Sequence, residues 1–134
     1  MQNYSTALIV MPPERSTLLQ SQLAGIPPNI RAVSSCEEAA EQLRDDPAIN
    51  LVLTDLGLPD GTWFDVLNLA GKFHPGASVV VCARVDDERL WTNVLEAGGF
   101  DVLVEPWEGS EVNRVMCAAV KAATRLPRLH AKIA

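Results

Sequence analysis

Residues 51–67 read LVLTDLGLPDGTWFDVL. The run Leu51 to Thr54 has no polar alternation, the pattern of a strand covered on both faces. It ends on a carboxylate, Asp55. The turn sequence Leu58-Pro59-Asp60-Gly61 follows, and Thr62 then caps a helix that carries Val66, Leu67 and Leu69. An acid at the tip of a buried strand is either a nucleophile or the remnant of one.

The same alternation continues on both sides. Four further apolar runs are ALIVM (7–11), IRAV (30–33), VVVCA (79–83) and FDVLV (100–104). Helix signals fall between them. Glu14 to Ala24 follows Pro12-Pro13 and puts Leu19 and Leu23 on one face. Ser35 with Glu38 makes a capping box ahead of Ala39, Ala40 and Leu43. The segment 86–97 stops at Gly98, and its inward stripe is Leu90, Val94 and Ala97. Gly109-Ser110 opens a last helix with Val112, Val115, Met116, Ala119 and Val120 inward. Five β-α units with short connections predict an α/β fold with a five-stranded parallel sheet, doubly wound in the flavodoxin-like (βα)5 manner. One domain is expected over 1–125, with 126–134 a C-terminal tail or the start of a linker. In such a sheet, chemistry gathers at the carboxyl ends of the strands, where Asp55, Met11 to Glu14, Cys82 to Arg84 and Glu105-Pro106 all fall.

Composition narrows the function classes. The chain has 134 residues, 48% hydrophobic and 21% charged, with a formal net charge of −6. All 17 acids lie between Glu14 and Glu111, and four basic residues (Lys121, Arg125, Arg128, Lys132) sit in an acid-free C-terminal stretch. An acidic body argues against direct nucleic-acid binding. No stretch approaches the ~18 apolar residues of a membrane span, so a cytoplasmic location and no membrane contact are expected. The three cysteines, Cys36, Cys82 and Cys117, are widely spaced, which suggests neither a disulfide framework nor a zinc site.

The stretches LVLTDLGLPDG (51–61) and EAGGFDVLVEP (96–106) together resemble the receiver domain of bacterial two-component response regulators, the chemotaxis-regulator-like family. The first is similar to the phosphoacceptor strand and its turn, the second to the family's E-A-G-A-x-D-Y-L-x-K-P stretch. The resemblance covers about residues 6 to 125. It implies that Asp55 is the phosphoacceptor position, served by a divalent metal held on acids after the first strand. It also implies a hydroxyl after the fourth strand and a lysine after the fifth.

This chain departs from that pattern at nearly every partner of Asp55. Met11 and Pro12 stand at the acidic pair, and neither is an oxygen ligand for Mg²⁺. Glu14 is two positions too late. Cys82 holds the hydroxyl position and donates hydrogen bonds weakly. Glu105 replaces the lysine, and two carboxylates ~4–5 Å apart repel by roughly 3–4 kcal/mol at an effective dielectric of ~20. Val102 replaces the switch aromatic, and Trp63 replaces a glycine and is expected at the pocket mouth. Arg84 is the nearby cation the sequence offers, expected either to bridge Asp55 or Glu105 or to be solvated.

The expectation is a degenerate pseudo-receiver: a signalling module that is not an enzyme, works by protein contact and has lost Mg²⁺ binding. No cofactor and no metal site are expected. A group of Asp55, Asp60 and Glu105 holding a metal without phosphate is a lesser alternative. A phosphoacceptor receiver, phosphorylated on Asp55 by a histidine kinase, is the main one. An FMN protein of flavodoxin type is disfavoured because the PPERST loop has Ser16 and Thr17 but no glycine. The expected partners are a signalling protein or output domain, or a second copy. The resemblance puts such contacts on the fourth-helix to fifth-helix face, where Trp91, Leu95 and Trp107 are the candidate interface residues. His74 and His130 are expected to be exposed.

Overall fold

The computed structural model describes residues 6–133 except 24, 26 and 28, with side chains described as far as Ala123. Five parallel strands form one sheet: β1 (Thr6–Val10), β2 (Asn29–Val33), β3 (Ile49–Asp55), β6 (Ser78–Ala83) and β7 (Asp101–Val104), in the order β2-β1-β3-β6-β7. A two-stranded antiparallel hairpin, β4 (Gly57–Leu58) and β5 (Gly61–Thr62), interrupts the connection after β3. The helices are α1 (Pro13–Gln20), α2 (Cys36–Asp45), α3 (Trp63–Phe73), α4 (Glu88–Glu96) and α5 (Gly109–Ile133).

Alternation along the strands separates two cores. Ala7, Ile9, Leu51, Leu53, Val80 and Leu103 face a layer built by Leu19 of α1 and by Val112, Val115, Met116 and Ala119 of α5. Leu8, Val10, Val52 and Val79 face α2 and α3 through Ala39, Leu43, Val66 and Ala70. Val81, Ala83 and Val102 meet Val94 of α4. The three inner strands are therefore apolar on both faces, which is why their runs show no alternation. β2 is an edge strand and largely exposed, with Ile30 and Val33 as its contacts to the two cores.

Local chemistry fixes the helix ends. Pro13 opens α1, where a missing N–H costs nothing. The helix closes at Gln20, short of the expected Ala24, and Leu23 still packs on the core. The Ser35 Oγ accepts from the Glu38 N–H at 3.1 Å, but the Glu38 carboxylate reaches back to the Ser34 N–H rather than to Ser35. At α3, Thr62 Oγ1 accepts from the Phe64 N–H and Asp65 returns the bond to the Thr62 N–H. α4 stops at a glycine pair. Gly98 takes φ +103°, and a Cβ on Gly99 would sit 2.5 Å from Val94 Cγ1. Ala97, expected inward, is exposed as the C-cap. The α5 backbone is helical through 126–133 and past Pro127, the stretch where the sequence suggests a tail or linker. The side chains of Arg125, Arg128, His130 and Lys132 lie outside the described residues.

Candidate site at the carboxyl ends of the strands

Three connections converge beyond the sheet: β1 to α1, β3 to β4, and β7 to α5. Asp55 is the last residue of β3, in register with Cys82 of β6, and its side chain is 9% exposed. Glu105 follows β7; its N–H bonds the Ala83 carbonyl at 2.9 Å and a cis peptide joins it to Pro106.

The cation between these acids is Arg15, not Arg84. Arg15 lies in the first turn of α1. Helical side chains tilt toward the helix N-terminus, which here aims the guanidinium at the carboxyl ends of the strands. Arg15 Nε donates to Asp55 Oδ2 at 2.8 Å, Nη2 donates to Asp55 Oδ1 at 3.1 Å, and Nη1 donates to Glu105 Oε2. The Leu56 N–H supplies a further donor to Asp55 Oδ1 at 2.9 Å. Beneath the guanidinium lies Trp107, with its ring centroid 4.9 Å from Arg15 Cζ. A bidentate guanidinium–carboxylate pair matches donor and acceptor planes, and desolvated cation–π contacts add ~2 kcal/mol. The cluster of Arg15, Asp55 and Glu105 carries one positive and two negative charges. Glu105, with its side chain 28% exposed, is the end open to water.

The other expected site residues take different places. Arg84 is exposed and lines an open cleft of about 440 Å³ with Asp55, Leu56, Val85, Asp86 and Leu90. Cys82 is fully buried, and its thiol is pushed well above the ordinary range, first by burial and then by the Asp55 charge. Met11 is fully buried in the core, so its thioether faces hydrocarbon. The donor set does not fit a hard divalent cation. Met11 and Pro12 offer no side-chain oxygen, Glu14 is exposed on α1, and both Asp55 oxygens already accept hydrogen bonds. Trp63 is half-buried between the α3 and α4 cores and is not among the residues lining the cleft at Asp55. Asp60 is drawn off to α2, where its carboxylate accepts from the N–H groups of Cys36 and Glu37 at 2.8 and 3.0 Å. Those two bonds, the Cys36 N–H first, hold the Asp60 carboxyl below its usual range.

Two interface expectations separate as well. Trp91 and Leu95 are 37% and 48% exposed on α4. Trp107 is 6% exposed and part of the core, because it packs inward under Arg15 rather than outward beside α4. His74 is half-buried, with Nε2 2.6 Å from the Leu43 carbonyl oxygen.

No family model matches the chain. It is 28% identical over 109 residues to the response regulator protein PilR of Pseudomonas aeruginosa, covering 81% of this chain and 24% of that protein. It is also 28% identical over 111 residues to the regulatory protein LuxO of Vibrio parahaemolyticus, covering 83% of this chain and 24% of that protein. The chain thus spans about a quarter of the length of these relatives. Among solved structures, a signal receiver domain from Vibrio parahaemolyticus superposes with a TM-score of 0.78 at 21% identity, covering 90% of this chain and 92% of that one. A CheY-like receiver domain protein from Methanospirillum hungatei superposes at 0.76 with 15% identity, covering 90% and 96%. The two relatives are bacterial regulatory proteins, the two solved structures are receiver domains, and this chain shares the flavodoxin-like fold of those domains.

Proposed function

We propose that this chain is a receiver-like module of two-component signalling that acts by protein contact, without phosphorylation of Asp55 and without Mg²⁺. One observation carries the reading: Arg15 already occupies both oxygens of Asp55 and one of Glu105. Phosphoryl transfer to a carboxylate needs an accessible nucleophilic oxygen and positive charge positioned around the transferred group. Here Asp55 already accepts three hydrogen bonds, two from Arg15 and one from the Leu56 N–H, the guanidinium is paired with the acceptor itself, and Glu105 adds negative charge beside it.

In this reading the module is a binding partner and not a catalyst. Its contacts are with a signalling protein, an output domain or a second copy, and the exposed α4 pair Trp91 and Leu95 is the contact surface. Incubation with acetyl phosphate or phosphoramidate and Mg²⁺ tests the proposal by intact mass. The expected result is no change. A gain of one phosphoryl mass, abolished by Asp55→Asn, overturns it in favour of a phosphoacceptor receiver.

A further inference from the structure

We propose that Arg15 and Trp107 form a charge-held latch that seats the first turns of α5, with Glu105 as the end of the latch that solvent reaches. The proposal rests on the reading of Asp55 as a carboxylate held by Arg15, and adds what that contact controls.

Trp107 lies between β7 and α5 and shares the core with Val112, Val115 and Met116 of α5. Its indole Nε1 is buried and has no hydrogen-bond partner among the described residues. A buried N–H without an acceptor opposes burial, so no polar anchor holds the ring inside. Apolar contact favours the seat, and so does the Arg15 guanidinium over the ring face. Asp55 and Glu105 clamp that guanidinium over the ring.

The arrangement has two states of different polarity. With the clamp closed, the ring gains its cationic neighbour and the cost of the unpaired N–H is offset. With the clamp open, that neighbour leaves, and the indole N–H is better satisfied by water. Arg15 and Asp55 side chains are each 9% exposed but Glu105 is 28% exposed, so the clamp opens from Glu105. The charge state of the cluster is thereby carried to the start of α5 through one aromatic ring.

The test uses the full chain labelled with 5-fluorotryptophan. The three tryptophans give three ¹⁹F signals, and Trp107→Phe assigns one of them. Glu105→Gln and Arg15→Met are compared with wild type after circular dichroism has shown them folded. The expected result is a new H₂O/D₂O isotope shift at the Trp107 signal, with Trp63 and Trp91 unmoved. Amide exchange across residues 105–112 should rise about tenfold or more. Arg15→Lys, which keeps charge but loses the fork, should fall between. A folded variant with wild-type Trp107 signal and exchange overturns the latch. Glu105→Gln decides the matter alone if Arg15→Met does not fold. Neither readout involves phosphorylation, so phosphoryl uptake by wild type refutes the reading of Asp55, whereas a silent Trp107 refutes the latch.

Discussion

Arg15 and Asp55 stand 40 positions apart and meet fork to fork, with Nε–Oδ2 at 2.8 Å and Nη2–Oδ1 at 3.1 Å. The cation that neutralises this strand-end acid is a side chain of the protein itself rather than a bound metal ion. It makes tolerable what the sequence alone presents as a conflict, the repulsion between Asp55 and Glu105.

Removing that cation is therefore costly. Arg15→Ala strands the buried Asp55 carboxylate, and loss of one member of a buried ion pair typically costs about 3–5 kcal/mol. Urea denaturation should show a loss in that range. Adding Asp55→Asn and Glu105→Gln should recover most of it, since the stranded charges are then gone. A loss below about 1 kcal/mol would mean that Arg15 is solvated in solution.

Restoring the family lysine should harm rather than help. Glu105→Lys places a second cation beside Arg15 and removes one of its acceptors. The variant should melt lower than wild type and still show no phosphoryl mass with acetyl phosphate. Titration of wild type with Mg²⁺ to roughly 10 mM should leave the amide NMR signals around Asp55 in place, because hard-metal oxygen ligands are missing. Saturable shifts at low millimolar Mg²⁺ contradict this.

Two residues expected at the interface, Trp107 and Leu95, should behave in opposite ways. Trp107→Ala opens the core and should cost about 3–5 kcal/mol. Leu95→Asp alters an exposed position and should stay within about 0.5–1 kcal/mol of wild-type stability, while moving sedimentation toward the monomer. Unchanged sedimentation across concentrations for both proteins would remove self-association from the proposal.

Alkali should loosen the fold through its thiols. Burial, and next the Asp60 charge, pushes Cys36 up to about 11 from an ordinary 9.0. The folded state thus holds that proton more tightly than the unfolded chain. Its contribution is complete below the ordinary thiol value and is lost as pH rises toward 11. Cys82 acts in the same direction. Urea midpoints should fall between neutral pH and pH 10.5, less steeply in Cys36→Ala. At pH 8 about one Cys36 in a thousand is thiolate, so iodoacetamide should label it slowly.

The sheet was legible in the sequence because burial on both faces leaves unbroken apolar runs, as in VVVCA at β6. Asp55 was legible from its turn, and Glu105 from the stretch around it. Arg15 was not singled out, because an arginine in a helix's first turn looks like a solvated surface charge. Its signal was directional: the tilt of helical side chains toward the N-terminus aims position 15 at the strand ends. Arg84 was the nearer choice along the chain, but its loop carries it outward into solvent. Trp107 misleads for the opposite reason. A large aromatic after an edge strand suggests a surface, yet it folds in beneath a charge placed by a segment some ninety residues earlier, as the Arg15–Glu105 separation of 90 positions shows.

The strand order also fixes when the sheet can exist. β1, the first of the five sheet strands in chain order, takes an inner position, and both its edges are filled by later chain: Asn29–Val33 on one side and Ile49–Thr54 on the other. Until β3 docks, that edge of β1 has no backbone partner, and non-local pairing of this kind is slow because loop closure precedes its reward. The residue that completes β3 is the same one that Arg15 grips. Docking of β3 beside β1 therefore also brings its terminal charge within reach of Arg15 at the start of α1.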